Sequence, residues 1–169
     1  MEQAHASSLV QYDSAKLRVS HYEKLVGLCA GTLALSFTAA TAFHTQHARE
    51  VGAFPGLLQA WQLLLGAIVL GVVSNWLTVN ALANLSNTLG VQQIDLHLDL
   101  LRQRLGQKLS DYPKDYQDKW NRESTKASRW EKTANIMIRL AEVLGVLSQL
   151  AAFLAFVALY YFAKTVLLG

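Results

Sequence analysis

The sequence is poor in cysteine, proline and charge, and each scarcity removes a class of structure. Cys29 is the only cysteine. It excludes an intramolecular disulfide framework and a cysteine-based zinc site, and its apolar surroundings suit a small packing residue. Only 16% of residues are charged and 52% are hydrophobic. Soluble domains carry roughly 25% charge, so the deficit points to a membrane protein. The formal net charge of +3 is too small to argue for nucleic acid as a partner. No phosphate-binding glycine loop, dinucleotide fingerprint or partnered nucleophile occurs, so neither an enzyme nor a cofactor is expected. The two prolines, Pro55 and Pro113, both fall where turns are predicted.

The longest absence is the most informative. Residues 51–94 contain no Lys, Arg, Asp or Glu. A transmembrane helix needs roughly 20 mostly apolar residues, and residues 57–82 supply a predicted span. One side of it is small, with Ala60, Ala67, Gly71, Ser74, Thr78 and Ala81 at three- and four-residue steps. Such a face lets helix backbones approach closely in lipid. The opposite side carries Leu65, Ile68, Val69 and Val72. A second uncharged run, residues 25–43, contains Gly27-x-x-x-Gly31, and a third, residues 143–163, has a small face of Gly145, Ser148, Ala152 and Ala155. Ala40-Thr41-Ala42 resembles a signal-peptide cleavage site. However, about 24 residues of mixed charge precede a run longer than the usual h-region, so the first span is read as retained.

The fold class expected is an all-α membrane protein, one domain of three spans with a helical hairpin over residues 86–138. From Leu9, apolar residues at helical spacing (Leu9, Tyr12, Ala15, Val19, Tyr22, Val26) run into the first span, after a polar start expected to fray. Gly52, Pro55 and Gly56 separate the first two spans. Beyond residue 85, Val91, Ile94, Leu98, Leu101, Leu105 and Leu109 keep a coiled-coil-like spacing. They are expected to form the seam of one hairpin arm, with a kink near Ser86-Asn87-Thr88 and Gly90. Ser110-Asp111-Tyr112-Pro113 is the predicted turn, and residues 114–138 form a second arm of matching length. Basic residues such as Lys16, Arg18 and Lys24 gather on the side of the N-terminus and hairpin, against Arg49 and Lys164 on the other. The positive-inside rule therefore expects the hairpin in the cytoplasm and the C-terminus outside.

Few residues suggest chemistry. His44 and His47, with Glu50, lack the further donors a metal site needs. Asp95 and Asp99 share a helix face, while His97 points about 200° away from Asp95, and a solvated face is expected there. Arg139 and Glu142 flank the third span and are read as snorkelling toward the headgroups. Thr32, Ser36, Asn75, Thr78 and Ser148 are candidate pore-lining residues in an oligomer, with helix–helix packing as the alternative. Tyr116, Trp120 and Trp130 are candidate partner-surface residues on the hairpin. The candidate packing seam comprises Gly27, Gly31, Ala67, Gly71, Ser74, Thr78, Gly145, Ser148, Ala152 and Ala155.

A helix bearing Tyr12, Lys16, Arg18, Tyr22 and Lys24, then a tight two-helix membrane hairpin, then a long helix outside it, resembles the SLATT group of bacterial membrane effectors. The resemblance covers the first two thirds of the chain, and the third span is additional to that plan. It implies a pore-forming effector in a nucleotide-signalled antiviral system. The expectation is accordingly a self-associating protein of the bacterial inner membrane. It would perturb the bilayer under control of its cytoplasmic stalk, through a protein partner or a small-molecule trigger. The alternative is a non-pore anchor, adaptor or immunity-type subunit that holds a partner through the hairpin.

Overall fold

The computed structural model describes residues 2–46, 55–106 and 111–168. They form three helices: α1 (Glu2–Gln46), α2 (Pro55–Leu105) and α3 (Lys114–Leu168). No strand occurs among the described residues. The helices have 45, 51 and 55 residues, or about 68, 76 and 82 Å of contour at 1.5 Å per residue. Each contains a stretch long and apolar enough to cross a membrane. Each is more than twice the ~30 Å hydrocarbon thickness, so a helix that crosses it would have a large part beyond it.

Local sequence explains the ends. Pro55 opens α2 at the first helical position, where its missing N–H costs nothing. Gly106 follows the last residue of α2 with φ 64°, the left-handed conformation that terminates helices and that glycine adopts without strain. The helix ends at Leu105; Leu109, the end expected from the leucine spacing, and Ser110 of the expected turn lie outside the described residues. Pro113 precedes α3, and its carbonyl accepts the first bonds, from Tyr116 N at 3.0 Å and Gln117 N at 3.2 Å. The predicted kink at Gly90 does not interrupt α2, and the helix at the N-terminus starts at Glu2 rather than near Leu9.

The chain divides into two compact units. One comprises Ser20–Trp76 and Leu140–Gly169. Its core is Cys29, Leu64, Ala67, Ala152 and Ala155, with Leu25, Leu33 and Phe156 packed against it. Hydroxyls tie the helices together. Ser148 Oγ donates to Ala67 O at 2.7 Å, Ser74 Oγ to Ala141 O at 2.6 Å, and Tyr22 Oη to Ala141 O at 3.3 Å. Two glycines make these approaches feasible. A Cβ built on Gly71 would lie 2.7 Å from Val26 Cγ2, and one on Gly145 would lie 2.7 Å from Tyr22 Cζ. The other unit comprises Met1–Val19 and Leu77–Arg139. It is centred on Ala81, Leu85 and Ala134, with Tyr12, Met137 and Ile138 around them.

A single spacing organises α2. Ala60, Leu64, Ala67, Gly71, Ser74, Thr78, Ala81, Leu85 and Thr88 are all buried and alternate steps of four and three residues. That is the 3.5-residue coiled-coil period, kept without a stutter. On α3, Ala127, Ala134, Ala141, Gly145, Ser148, Ala152 and Ala155 keep the same register. The leucine stripe expected as the hairpin seam lies outside it: Ile94, Leu101 and Leu105 are exposed, and Val91 and Leu98 half-buried. The Gly27-x-x-x-Gly31 motif is likewise not part of the seam within the chain. Both glycines are exposed, with nothing within 4 Å of an added Cβ.

Gly71→Leu and Gly145→Leu are each expected to destabilise the membrane-candidate unit by about 1–3 kcal/mol, the scale of overpacking a filled contact. Val72→Leu, on the exposed side, should leave thermal stability in mild detergent unchanged. Equal melting temperatures for all three variants would contradict the assigned close contacts.

Candidate functional site: a polar groove on the helical hairpin

Beyond Thr88 the same alternation continues through Gln92, Asp95, Asp99 and Arg102. The positions that line this face thus turn polar, while of the apolar residues one position before them Ile94 and Leu101 are exposed and Val91 and Leu98 half-buried. Across from them α3 presents Trp120, Ser124, Ala127, Ser128 and Glu131. Together with Thr88 and Leu96 these residues enclose a groove of about 400 Å³. Its size falls in the range of small-molecule sites.

Thr88 closes one end. Its Oγ1 lies 3.0 Å from Asn84 O and 3.3 Å from Ala127 O, so the hydroxyl donates to backbone in a place where it is fully buried. Arg102 sits at the other end. Its Nη1 donates to Asp99 Oδ1 at 3.2 Å. The guanidinium carbon is 5.5 Å from the Trp120 ring and 5.7 Å from the Tyr112 ring, a cation–π arrangement. Tyr112 stacks on Tyr116 at 5.4 Å. Between these ends lie Gln92 Oε1 and Asp95 Oδ1, both buried and without a hydrogen-bond partner among the described residues. Burial, then the charge of Asp99, raise the Asp95 carboxyl above its ordinary value, and Arg102 partly opposes this.

The face expected to be solvated at Asp95 and Asp99 lines this groove. Both are half-buried in the groove, and His97 alone of that trio is exposed. The two carboxylates are spaced as helix geometry requires, but the helix is rotated so that they face α3. Of the candidate partner-surface aromatics, Trp120 lines the groove, Tyr116 is 37% exposed, and Trp130 is half-buried.

The candidate pore-lining residues occupy different environments within the chain. Thr78 and Ser148 are 1% and 0% exposed, packed between helices of the chain. Thr32 and Ser36 are half-buried, and their hydroxyls donate to Leu28 O and Leu33 O at 2.8 and 2.9 Å. Ser36 Oγ also accepts from Trp61 Nε1 at 2.9 Å. Asn75 is half-buried, and its Oδ1 has no partner among the described residues. Of the candidate seam residues, Ala67, Gly71, Ser74, Thr78, Gly145, Ser148, Ala152 and Ala155 are buried; Gly27 and Gly31 are not. Arg139 and Glu142 are exposed. His47 and Glu50 lie outside the described residues, as does the His44 side chain. No group of three or more His, Cys, Asp or Glu suited to a metal occurs among the described residues.

Sequence reasoning missed Gln92, Arg102, Ser124, Ser128 and Glu131. The signal was present in the alternation of four and three carried forward from Ala60, and the leucine stripe masked it. No family model, curated protein or solved structure matches the chain.

Asp95→Asn removes a partly buried charge that folding raises in pKa. A raised carboxyl costs stability above its folded pKa, and that cost disappears as pH falls through it. The variant should melt higher than the wild type at pH 7, and the difference should shrink as the pH is lowered through the carboxylate range. A gain of equal size at pH 7 and pH 3 would contradict the electrostatic assignment.

Proposed function

We propose that the protein is a membrane-embedded adaptor that receives an input in the hairpin groove. The observation that carries this reading is the pair of buried acceptors, Gln92 Oε1 and Asp95 Oδ1, left without partners in a groove of ligand size. Buried polar groups without partners are costly, and a ligand that donates hydrogen bonds to them would offset that cost. The spans support an anchoring role. Their hydroxyls at Ser74, Ser148, Thr32 and Ser36 are engaged with backbone carbonyls, so they offer ions little polar lining. Positive-inside charge supports a cytoplasmic position for the hairpin, and the resemblance drawn from the sequence supports a bacterial inner membrane.

Self-association is part of the proposal, and α1 supports it. Its apolar window is the least covered of the three, and the open Gly27/Gly31 face suits a second copy at close range. The same face supports a second reading, in which several copies assemble around α1 and conduct ions along Thr32, Ser36 and neighbouring hydroxyls.

The test is induced expression in a bacterial host with a potential-sensitive dye, together with native-state mass measurement in mild detergent. The adaptor reading expects a steady potential, an oligomer lost in Gly27→Leu, and an oligomer distribution altered by Ser128→Trp, which fills the groove. Depolarisation abolished by Gly27→Leu would replace it with the pore reading. A Ser128→Trp protein indistinguishable from wild type in both assays would remove the groove as the input site.

A further inference from the structure

Resting on the groove as the input site, we infer that its occupant is a linear polyamine. Three carboxylates, Asp95, Asp99 and Glu131, line the groove against one guanidinium, Arg102. That guanidinium is already held by Asp99 and by the Trp120 and Tyr112 rings, with 12% of its side chain exposed. Glu131 has no ion-pair partner among the described residues. Arg102 Nε is also buried without a partner among the described residues, but three carboxylates against one guanidinium leave surplus negative charge beside the unpaired acceptors, and that excess repels phosphates rather than binding them.

Two further features select among cations. The acceptors are not gathered closely enough to hold a metal ion. Instead Gln92, Asp95 and Asp99 are staged along α2 at steps of three and four residues, or about 4.5 and 6 Å of axial rise. Ammonium groups parted by three or four methylenes are spaced on the same scale. Between the polar groups, Trp120, Leu96 and Ala127 present apolar surface to the methylenes of such a chain. A compact cation of equal charge meets only one acceptor at a time and leaves the apolar wall uncovered.

The test uses the full chain in zwitterionic nanodiscs, so that no anionic lipid competes. Spermidine is the probe, with titration calorimetry and tryptophan fluorescence as readouts. Hexaamminecobalt(III) serves as the compact trivalent control at matched ionic strength. Spermidine should bind saturably and at least tenfold more tightly than the cobalt complex. Asp95→Asn and Glu131→Gln should each weaken it about tenfold. Glu123→Gln, whose carboxylate pairs with Lys126 at 2.7 Å outside the groove, should not. Equal affinity for both trications, no saturable spermidine response, or undiminished binding in both groove variants would overturn the inference. If spermidine fails while Ser128→Trp still alters the oligomer, the occupant is wrong and the input site stands. If Ser128→Trp is also silent, both fall.

Discussion

Close approach of three helix backbones is the constraint on which the structure depends. Gly71 and Gly145 leave no room for a side chain beside Val26 and Tyr22. The contact they permit brings Ser148 onto the carbonyl of Ala67, and Ser74 and Tyr22 onto that of Ala141. In lipid, burying one more leucine gains little, because the solvent is as apolar as the core. Packing density and hydroxyl-to-carbonyl bonds then decide how helices associate, each bond contributing about 0.6–2 kcal/mol. A seam of this kind tolerates little rotation, since turning a helix by one residue would place Leu70 or Val72 where Gly71 now sits.

In the hairpin unit, the alternation that buries Ala81, Leu85 and Thr88 also turns Gln92, Asp95, Asp99 and Arg102 toward α3. Burying Ile94, Leu98, Leu101 and Leu105 instead would remove more apolar surface from water. The polar groove thus carries a local cost. Part of its cost is offset by the Asp99–Arg102 pair and by the aromatic rings under the guanidinium. The remainder, an orphaned carboxylate oxygen and an orphaned amide oxygen, is the feature that a bound cation with several N–H donors would satisfy.

The all-helical architecture, three membrane-candidate segments and the small faces of α2 and α3 were readable in the sequence, because charge-free runs and residue size are local properties. Pro55 was readable as a helix start for the same reason. Two expected seams lie outside the packing within the chain, and for one cause. The leucines of the hairpin and the glycines of α1 each form a locally convincing seam, and tertiary packing uses neither within the chain. Hydrophobicity alone ranked the leucine stripe above the neighbouring polar stripe. Only a count carried through from the membrane seam, across the charge-free residues and into the charged ones, reveals which stripe faces inward. Gly106 was missed because the leucine spacing ran past it. Its helix-terminating role depends on a positive φ that periodicity does not report.

The central claim is that the seam is closed to water and the groove is open to it. Single cysteines introduced into a Cys29→Ala background, and probed with a membrane-impermeant maleimide, test this directly. Ser128→Cys and Ser124→Cys, both exposed at the groove, should react rapidly once the hairpin's side of the membrane is accessible. Ser74→Cys and Ser148→Cys, both 0% exposed in the native residues, should remain unlabelled from either side until the protein is denatured. Rapid labelling of Ser148→Cys in the native membrane, at a rate matching Ser128→Cys, would contradict the account, because water would then run along the seam that is described as holding the helices together.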